Sequence, residues 1–223
     1  MNSKDNKTKR NKRPWPTKEA MQQVYEKNLW GSGGSDFYSG EGSHNPEIVA
    51  PYIQAIIAFL SSHNNPISVC DLGCGDFNVG KELVGYTKKT IAVDIVPELI
   101  ERNKEKYNIS NLEFLCVDIA KEALPNADCA ILRQVLQHIS NEEVKKVANR
   151  LCGYKYVIVT EHLPNKDFTP NLDIISGQGT RLKKNSGILL LEPPFNLKIL
   201  EEQELLRVVD EHGVIVTWLY RLE

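Results

Sequence analysis

Apolar residues change their spacing twice along the chain. Between residues 17 and 30 they recur at helical intervals, as Met21, Val24, Tyr25 and Leu29, with Thr17 placed to cap the first turn. A Gly/Ser-rich stretch over 31–45 interrupts them. Asn45-Pro46 then reads as a helix start, followed by Ile53, Ile56, Ile57 and Leu60 at helical spacing, with Pro51 set to bend the first turns. From residue 67 short apolar runs alternate with amphipathic ones. The pattern predicts strands at 69–72, 90–93, 112–117, 127–132 and 154–160. It predicts helices at 79–86, 97–107 and 141–151, the last capped by Ser140 or Asn141. Short apolar strands separated by helices imply a parallel sheet buried on both faces. The rhythm fails after Thr160. Residues 161–187 hold Pro, Gly, Asn and Asp with no period, and a long aperiodic loop in a compact domain is usually functional or disordered. Strands at 196–200 and 214–220, with a helix over 201–210 between them, complete the reading. No internal repeat and no second domain is visible.

With 223 residues, 41% hydrophobic and 25% charged, the chain can build one well-cored domain. No apolar run approaches the roughly 20 residues needed to span a bilayer. The basic N-terminus has no apolar stretch behind it, so a secretory signal and a membrane anchor are not expected and a cytoplasmic protein is. The five cysteines, Cys70, Cys74, Cys116, Cys129 and Cys152, are odd in number and sit mostly in apolar runs, which predicts buried free thiols in a reducing compartment. No second Cys or His pair stands at metal-ligand spacing from Cys70 and Cys74, so no zinc site is expected. Charge is uneven: residues 1–13 carry a net +5 while the whole chain is −2. That tail reads as a solvated disordered segment, or as an electrostatic arm for an anion such as nucleic acid. The acidic body does not favour the second reading.

Residues 67–80 bring in the chemistry. The strand ends at Asp71 and runs into a turn punctuated by Gly73 and Gly75, which lets a ligand lie directly on the backbone. A carboxylate there repels a pyrophosphate but suits a cationic or hydroxyl-bearing ligand. Asp94 and Asp118 also close predicted strands, where ligands bind in open parallel sheets. Asp94 is placed to accept from both hydroxyls of a ribose. A dinucleotide fold would put an acid there too, but its fingerprint needs a glycine three residues after Gly75, and Asn78 stands there.

The run Asp71-Leu-Gly-Cys-Gly-Asp, then Val93-Asp94-Ile and Cys116-Val-Asp118-Ile, resembles the class I S-adenosylmethionine-dependent methyltransferases. Motif likeness covers about 67–160, and the layout extends it over 45–223. Phe77 departs from the pattern, since many members have a glycine there. More narrowly, Trp30-Gly31, Ser39-Gly-Glu-Gly-Ser43, Gln137-His138, Asn171-Leu-Asp173-Ile to Arg181, and Pro193-Pro-Phe195 resemble a group of small uncharacterised bacterial methyltransferases. The resemblance implies a Rossmann-like α/β fold, a seven-stranded mostly parallel sheet with an antiparallel last strand and helices on both faces. It implies S-adenosyl-L-methionine as cofactor. Gly73 and Gly75 would pack on its methionine part, and Asp71 would attract its ammonium. Asp94 would hold the ribose. Asp118 and the backbone N–H of Ile119 would meet the adenine, which Ile95 would flank.

Methyl transfer is an in-line displacement in which positioning contributes most, and a hydroxyl acceptor also gains from a base. His138, after the fourth strand, is the first candidate base. Glu161 and His162, after the fifth, are alternative bases or acceptor ligands. No spacing requires these three to share a metal. Arg133 and Gln134 lie at the fourth strand's end as candidates for holding cofactor or acceptor. Trp30, Ser39, Gly40 and Ser43 suit a hinged lid. Asp173 and Arg181 are candidate linings of the acceptor pocket. The expected organisation is a disordered basic tail over 1–16, N-terminal helices and lid over 17–66, and a catalytic core over 67–223. The expected function is methylation of a small-molecule or sugar hydroxyl. The alternatives are an RNA or protein methyltransferase and a non-catalytic cofactor-binding module. The fourth strand reads Leu132-Arg-Gln-Val in place of an amino-methylating Asn/Asp-Pro-Pro-Tyr/Phe, which weakens the nucleic-acid reading.

Overall fold

The computed structural model describes residues 14–222 apart from 33 and 35. The basic run over 1–13 lies outside the described residues. Helix α1 (Thr17–Glu26) comes first, then the short α2 (Glu41–His44) and α3 (Pro46–Ser61). The sheet strands are β1 (Ser68–Leu72), β2 (Lys89–Asp94), β3 (Leu112–Cys116), β4 (Cys129–Arg133), β5 (Tyr156–Leu163), β6 (Glu201–Val209) and β7 (Val214–Arg221). Helices α4 (Pro97–Lys106) and α5 (Asn141–Leu151) follow β2 and β4. The seven strands run in the order β3-β2-β1-β4-β5-β7-β6. β1 to β5 pair in parallel, while β7 is antiparallel to both β5 and β6. Strand order reverses between β1 and β4, so the crevice above their carboxyl ends is the switch point where open α/β sheets bind ligands.

Alternation along the strands decides which helix covers which face. Val69, Cys129, Ile131 and Ile158 pack with Val49, Tyr52, Ile56 and Leu60 of α3. Cys70, Leu72, Ala130, Leu132, Val157 and Val159 pack on the other face with Val144, Val147, Ala148 and Leu151 of α5 and with Met21, Val24 and Tyr25 of α1. Asn45 caps α3, its Oδ1 accepting from Glu47 N at 3.0 Å, and the helix runs on through Pro51. Ser140 caps α5 in a reciprocal capping box with Glu143.

The structure corrects several sequence expectations. Residues 79–86 form no α-helix but two 3₁₀ turns, Gly80–Glu82 and Val84–Tyr86. A Cβ at residue 80 would meet the Phe77 ring at 2.3 Å and Asp71 Oδ2 at 2.9 Å, so the segment needs its glycine and with it loses helical propensity. Phe77 itself keeps a left-handed φ of 61°, as a glycine would, and its fully buried ring packs edge-on against Tyr107 and Phe114. That burial offsets the backbone cost. Residues 201–209 are a strand and not a helix, while 196–200 is irregular. β6 is the sheet edge, where exposed Glu201, Glu202, Glu204 and Arg207 discourage further pairing. Thr17 does not cap α1; Pro16 holds that position and the Thr17 hydroxyl donates to Glu143. All five cysteines are free, but only Cys70 and Cys129 are buried; Cys116 and Cys152 are exposed. No helix among the described residues is long and apolar enough to cross a membrane.

Candidate functional site

The carboxyl ends of β1, β2 and β4 and the loop after β3 open into one cavity of about 920 Å³, roofed by residues from α1 through α3. The turn after β1 forms its floor. Gly73 and Gly75 both adopt left-handed backbone, at φ 85° and 55°. A Cβ on Gly73 would strike Val135 Cγ2 at 2.5 Å, and one on Gly75 would strike Ser39 Oγ at 2.4 Å. Both positions therefore need glycine for conformation and for space.

The three acids line the cavity in register. Asp94 accepts from Gly75 N with Oδ2 and from Val96 N with Oδ1, both at 3.1 Å. Burial raises its pKa, against those backbone donors. Asp71 has no hydrogen-bond partner among the described residues. Burial pushes its carboxyl up to about 7, with Arg133 opposing and Asp94 adding to the rise. Asp118 accepts from Ala120 N at 3.0 Å and from Lys121 Nζ at 2.8 Å. Ile95 and Ile119 add apolar wall beside it.

Trp30, Ser39, Gly40 and Ser43 form the roof and are stitched down. Ser39 N donates to Asp76 Oδ2 at 3.0 Å, and Asp76 N returns a bond to Ser39 Oγ at 2.8 Å. His44 Nε2 lies 2.5 Å from Asp76 Oδ2, with its ring stacked on Tyr38. Asn78 Nδ2 donates to Ser43 O, and the Arg133 guanidinium donates to Gly42 O. Trp30 Nε1 donates to Gln178 O at 3.3 Å.

His138 and His162 also reach the cavity. His138 sits in the turn Leu136–His138, its ring 4.9 Å from Trp30. Nδ1 lies 3.2 Å from Gly179 O, which can only accept, so Nδ1 carries the proton and Nε2 is the acceptor, with the Gln137 amide Nε2 donating to it at 3.3 Å. Burial lowers its pKa to about 4, keeping the ring neutral. His162 Nε2 lies 3.0 Å from Asp210 Oδ1 in the β6–β7 turn. Burial lowers its pKa, and Asp210 opposes this. Gln134, at φ 57°, bonds Thr160 O through its N–H and faces the roof.

Residues 69–153, which hold the glycine turn, all three acids and His138, match the family description of a methyltransferase domain. Over these residues the chain carries a methyltransferase domain, in keeping with its resemblance to the class I S-adenosylmethionine-dependent methyltransferases. A 60-residue segment of the chain is 35% identical to malonyl-[acyl-carrier protein] O-methyltransferase of Acetivibrio thermocellus; it covers 26% of the chain and 21% of that relative. The fold is similar to the N-methyltransferase NodS from Bradyrhizobium japonicum, crystallised with S-adenosyl-L-homocysteine, at TM-score 0.65, 12% identity and coverage of 91% and 98%. It is also similar to magnesium protoporphyrin IX methyltransferase from Synechocystis, at TM-score 0.60, 14% identity and coverage of 93% and 100%. At such identities the likeness shows the fold.

Three of the expected site residues stand outside the cavity wall. Arg181 is buried and spends its guanidinium on Leu172 O, Leu136 O, Ile139 O and Asn141 Oδ1, pinning the 161–187 loop to the turn before α5. Asp173 accepts from Asn141 N at 2.7 Å, at the start of α5. Glu161 is fully buried with neither oxygen partnered, and burial pushes its carboxyl up to about 8 against the pull of Arg181. Tyr25, Tyr52, Asp76, Gln137 and Glu143 line the cavity as well, and none of them was named from the sequence as a site residue. Asp76 closes the motif Asp71-Leu-Gly-Cys-Gly-Asp, and Tyr52 is a polar-tipped aromatic on the apolar face of α3. Both signals were present in the chain.

Proposed function

We propose that the chain moves a methyl group from S-adenosyl-L-methionine to a hydroxyl of a small molecule or a sugar. The observation that carries this reading is the gathering of Asp71 and Asp94, at the carboxyl ends of β1 and β2, and Asp118, in the loop after β3, around one cavity with a glycine floor. The donor set fits the cofactor. Asp71 offers an unpartnered carboxylate to an ammonium. Asp94 uses each oxygen once on backbone and keeps lone pairs for a diol. The Ile119 N–H carries no hydrogen bond among the described residues and can meet a ring nitrogen. S-adenosylmethionine supplies an activated methyl on a sulfonium sulfur. The protein's share is to orient the acceptor and exclude water beneath Trp30 and the 39–44 segment. His138, neutral with Nε2 as acceptor, takes the proton that the acceptor hydroxyl releases once that hydroxyl replaces the Gln137 amide on Nε2. His162, held by Asp210, lines the same cavity as the alternative base.

Incubation with methyl-labelled cofactor and a panel of sugars, phenols and hydroxy acids, beside RNA and protein, tests this. The expected label falls on a small hydroxylated compound, and His138→Ala lowers the rate about 100-fold or more. Label confined to RNA or protein contradicts the acceptor class, and a His138→Ala variant with full turnover removes the base.

A further inference from the structure

β5 and β7 continue past the floor of the sheet and carry His162 with them. β4 pairs with β5 as far as Arg133 opposite Thr160. Beyond that point β5 still pairs with β7, with Glu161 opposite Val216, His162 opposite Ile215 and Leu163 opposite Val214. The two strands therefore rise as a wall on the β5 side of the switch point, away from Asp71 and Asp94 on β1 and β2. Opposed residues of an antiparallel pair share a face, and neighbours along a strand alternate. His162 and Ile215 line the cavity together. Leu163, Val214 and Val216 pack on the other face.

The β6–β7 turn clamps the His162 ring. Asp210 Oδ1 accepts from His212 N and Gly213 N, both at 2.8 Å, and lies 3.0 Å from His162 Nε2. A Cβ at residue 213 would stand 2.9 Å from the same nitrogen, so the turn closes on the ring only with glycine there. A carboxylate only accepts, so Nε2 carries the proton and Nδ1 is the acceptor. Nδ1 makes no hydrogen bond among the described residues, on a side chain 11% exposed. His138 and His162 thus bring two acceptor nitrogens to one cavity, His138 Nε2 under the Gln137 amide and His162 Nδ1 without a partner. A ligand that engages both must offer two donors, and for a hydroxyl acceptor these are two O–H groups. We propose that Asp210 is a positioning residue that holds His162 as the anchor for a second hydroxyl, so that the methyl acceptor is a diol or polyol, sugars included. This assignment rests on the proposed methyltransferase function, in which His138 takes the proton of the first hydroxyl. Ile215, beside His162, offers the carbon skeleton of such an acceptor an apolar surface.

Nitrogen-15 NMR of the full chain, loaded with S-adenosylhomocysteine near neutral pH, tests both parts. The His162 signals are those lost in His162→Gln. The wild type should show His162 protonated on Nε2 alone. Asp210→Ala should mix the two tautomers, and Asp210→Asn, whose amide oxygen still caps the turn and accepts from Nε2, should restore the single one. The probes are cis-cyclohexanediol, methyl glucoside and cyclohexanol. Both polyols should shift the Nδ1 signal. His162→Gln and Asp210→Ala should each weaken the polyols about tenfold and leave cyclohexanol unchanged. A wild-type His162 protonated on Nδ1, or a tautomer indifferent to Asp210→Ala, overturns the positioning role. Polyols that do not bind, or that bind both variants as well as the wild type, overturn the anchor. Variants that weaken all three probes equally do so too, since that marks a packing role. A chain that fails to bind S-adenosylhomocysteine refutes the methyltransferase function instead, and the polyol titration of the free chain then decides the anchor alone.

Discussion

Asp94 is held by the two backbone donors that the glycine turn and the start of α4 present to it, Gly75 N and Val96 N. A ribose would add its hydroxyls to a carboxylate already fixed in place. Asp94→Asn should therefore weaken S-adenosylhomocysteine binding by about ten- to a hundredfold in calorimetry while leaving the circular dichroism spectrum intact; unchanged affinity would remove the ribose role. Glu161 behaves differently. Its folded pKa of about 8 lies above its ordinary value of 4.5. The folded state binds that proton more tightly, so the contribution is fully present below pH 4.5 and is lost as pH rises through 8. Glu161→Gln removes this loss. The variant should gain about 1–3 kcal/mol over wild type at pH 8 and much less at pH 5, read by urea unfolding at both values. A variant destabilised equally at both would show that the carboxyl is held for packing. The acids of the site were legible in the chain because each ends an apolar run, a position that alternation fixes. Asp173 and Arg181 were misplaced because the 161–187 loop has no period and so gives no register to its side chains.

At the scale of elements, the chain announced α5 but left its cap between Ser140 and Asn141; the structure puts Ser140 there, in a capping box with Glu143. Ser140 Oγ also donates to Glu143 Oε2 at 2.7 Å, and the same carboxylate accepts from Ser176 at Oε2 and from Thr17 at Oε1. Burial pushes the Glu143 carboxyl up, and these hydroxyls more than offset it. Ser140→Ala should cost about 1–2 kcal/mol in urea unfolding; a loss below a few tenths would show that the box adds nothing to the packed helix. Two elements were misread for identifiable reasons. Over 79–86 the apolar spacing suited a helix, but only the folded core reveals that Phe77 occupies the space a longer side chain at 80 would need. Over 201–209 the charges mimic a helix face because an edge strand, with little to bury, uses them against further pairing.

At the scale of the molecule, the order β3-β2-β1-β4-β5-β7-β6 puts the switch point beneath a roof built from the first third of the chain. The parallel core was readable from alternation of strands and helices. The way 39–44 folds onto Asp76 and Arg133 was not, since those contacts join residues up to 91 positions apart. The proposed function requires that this one cavity hold one nucleoside across Asp71, Asp94 and Asp118. Isothermal titration of the full chain with S-adenosylhomocysteine tests that most directly. The predicted result is saturable binding at one site per chain with a micromolar dissociation constant, and an absence of saturable heat up to millimolar ligand would contradict it.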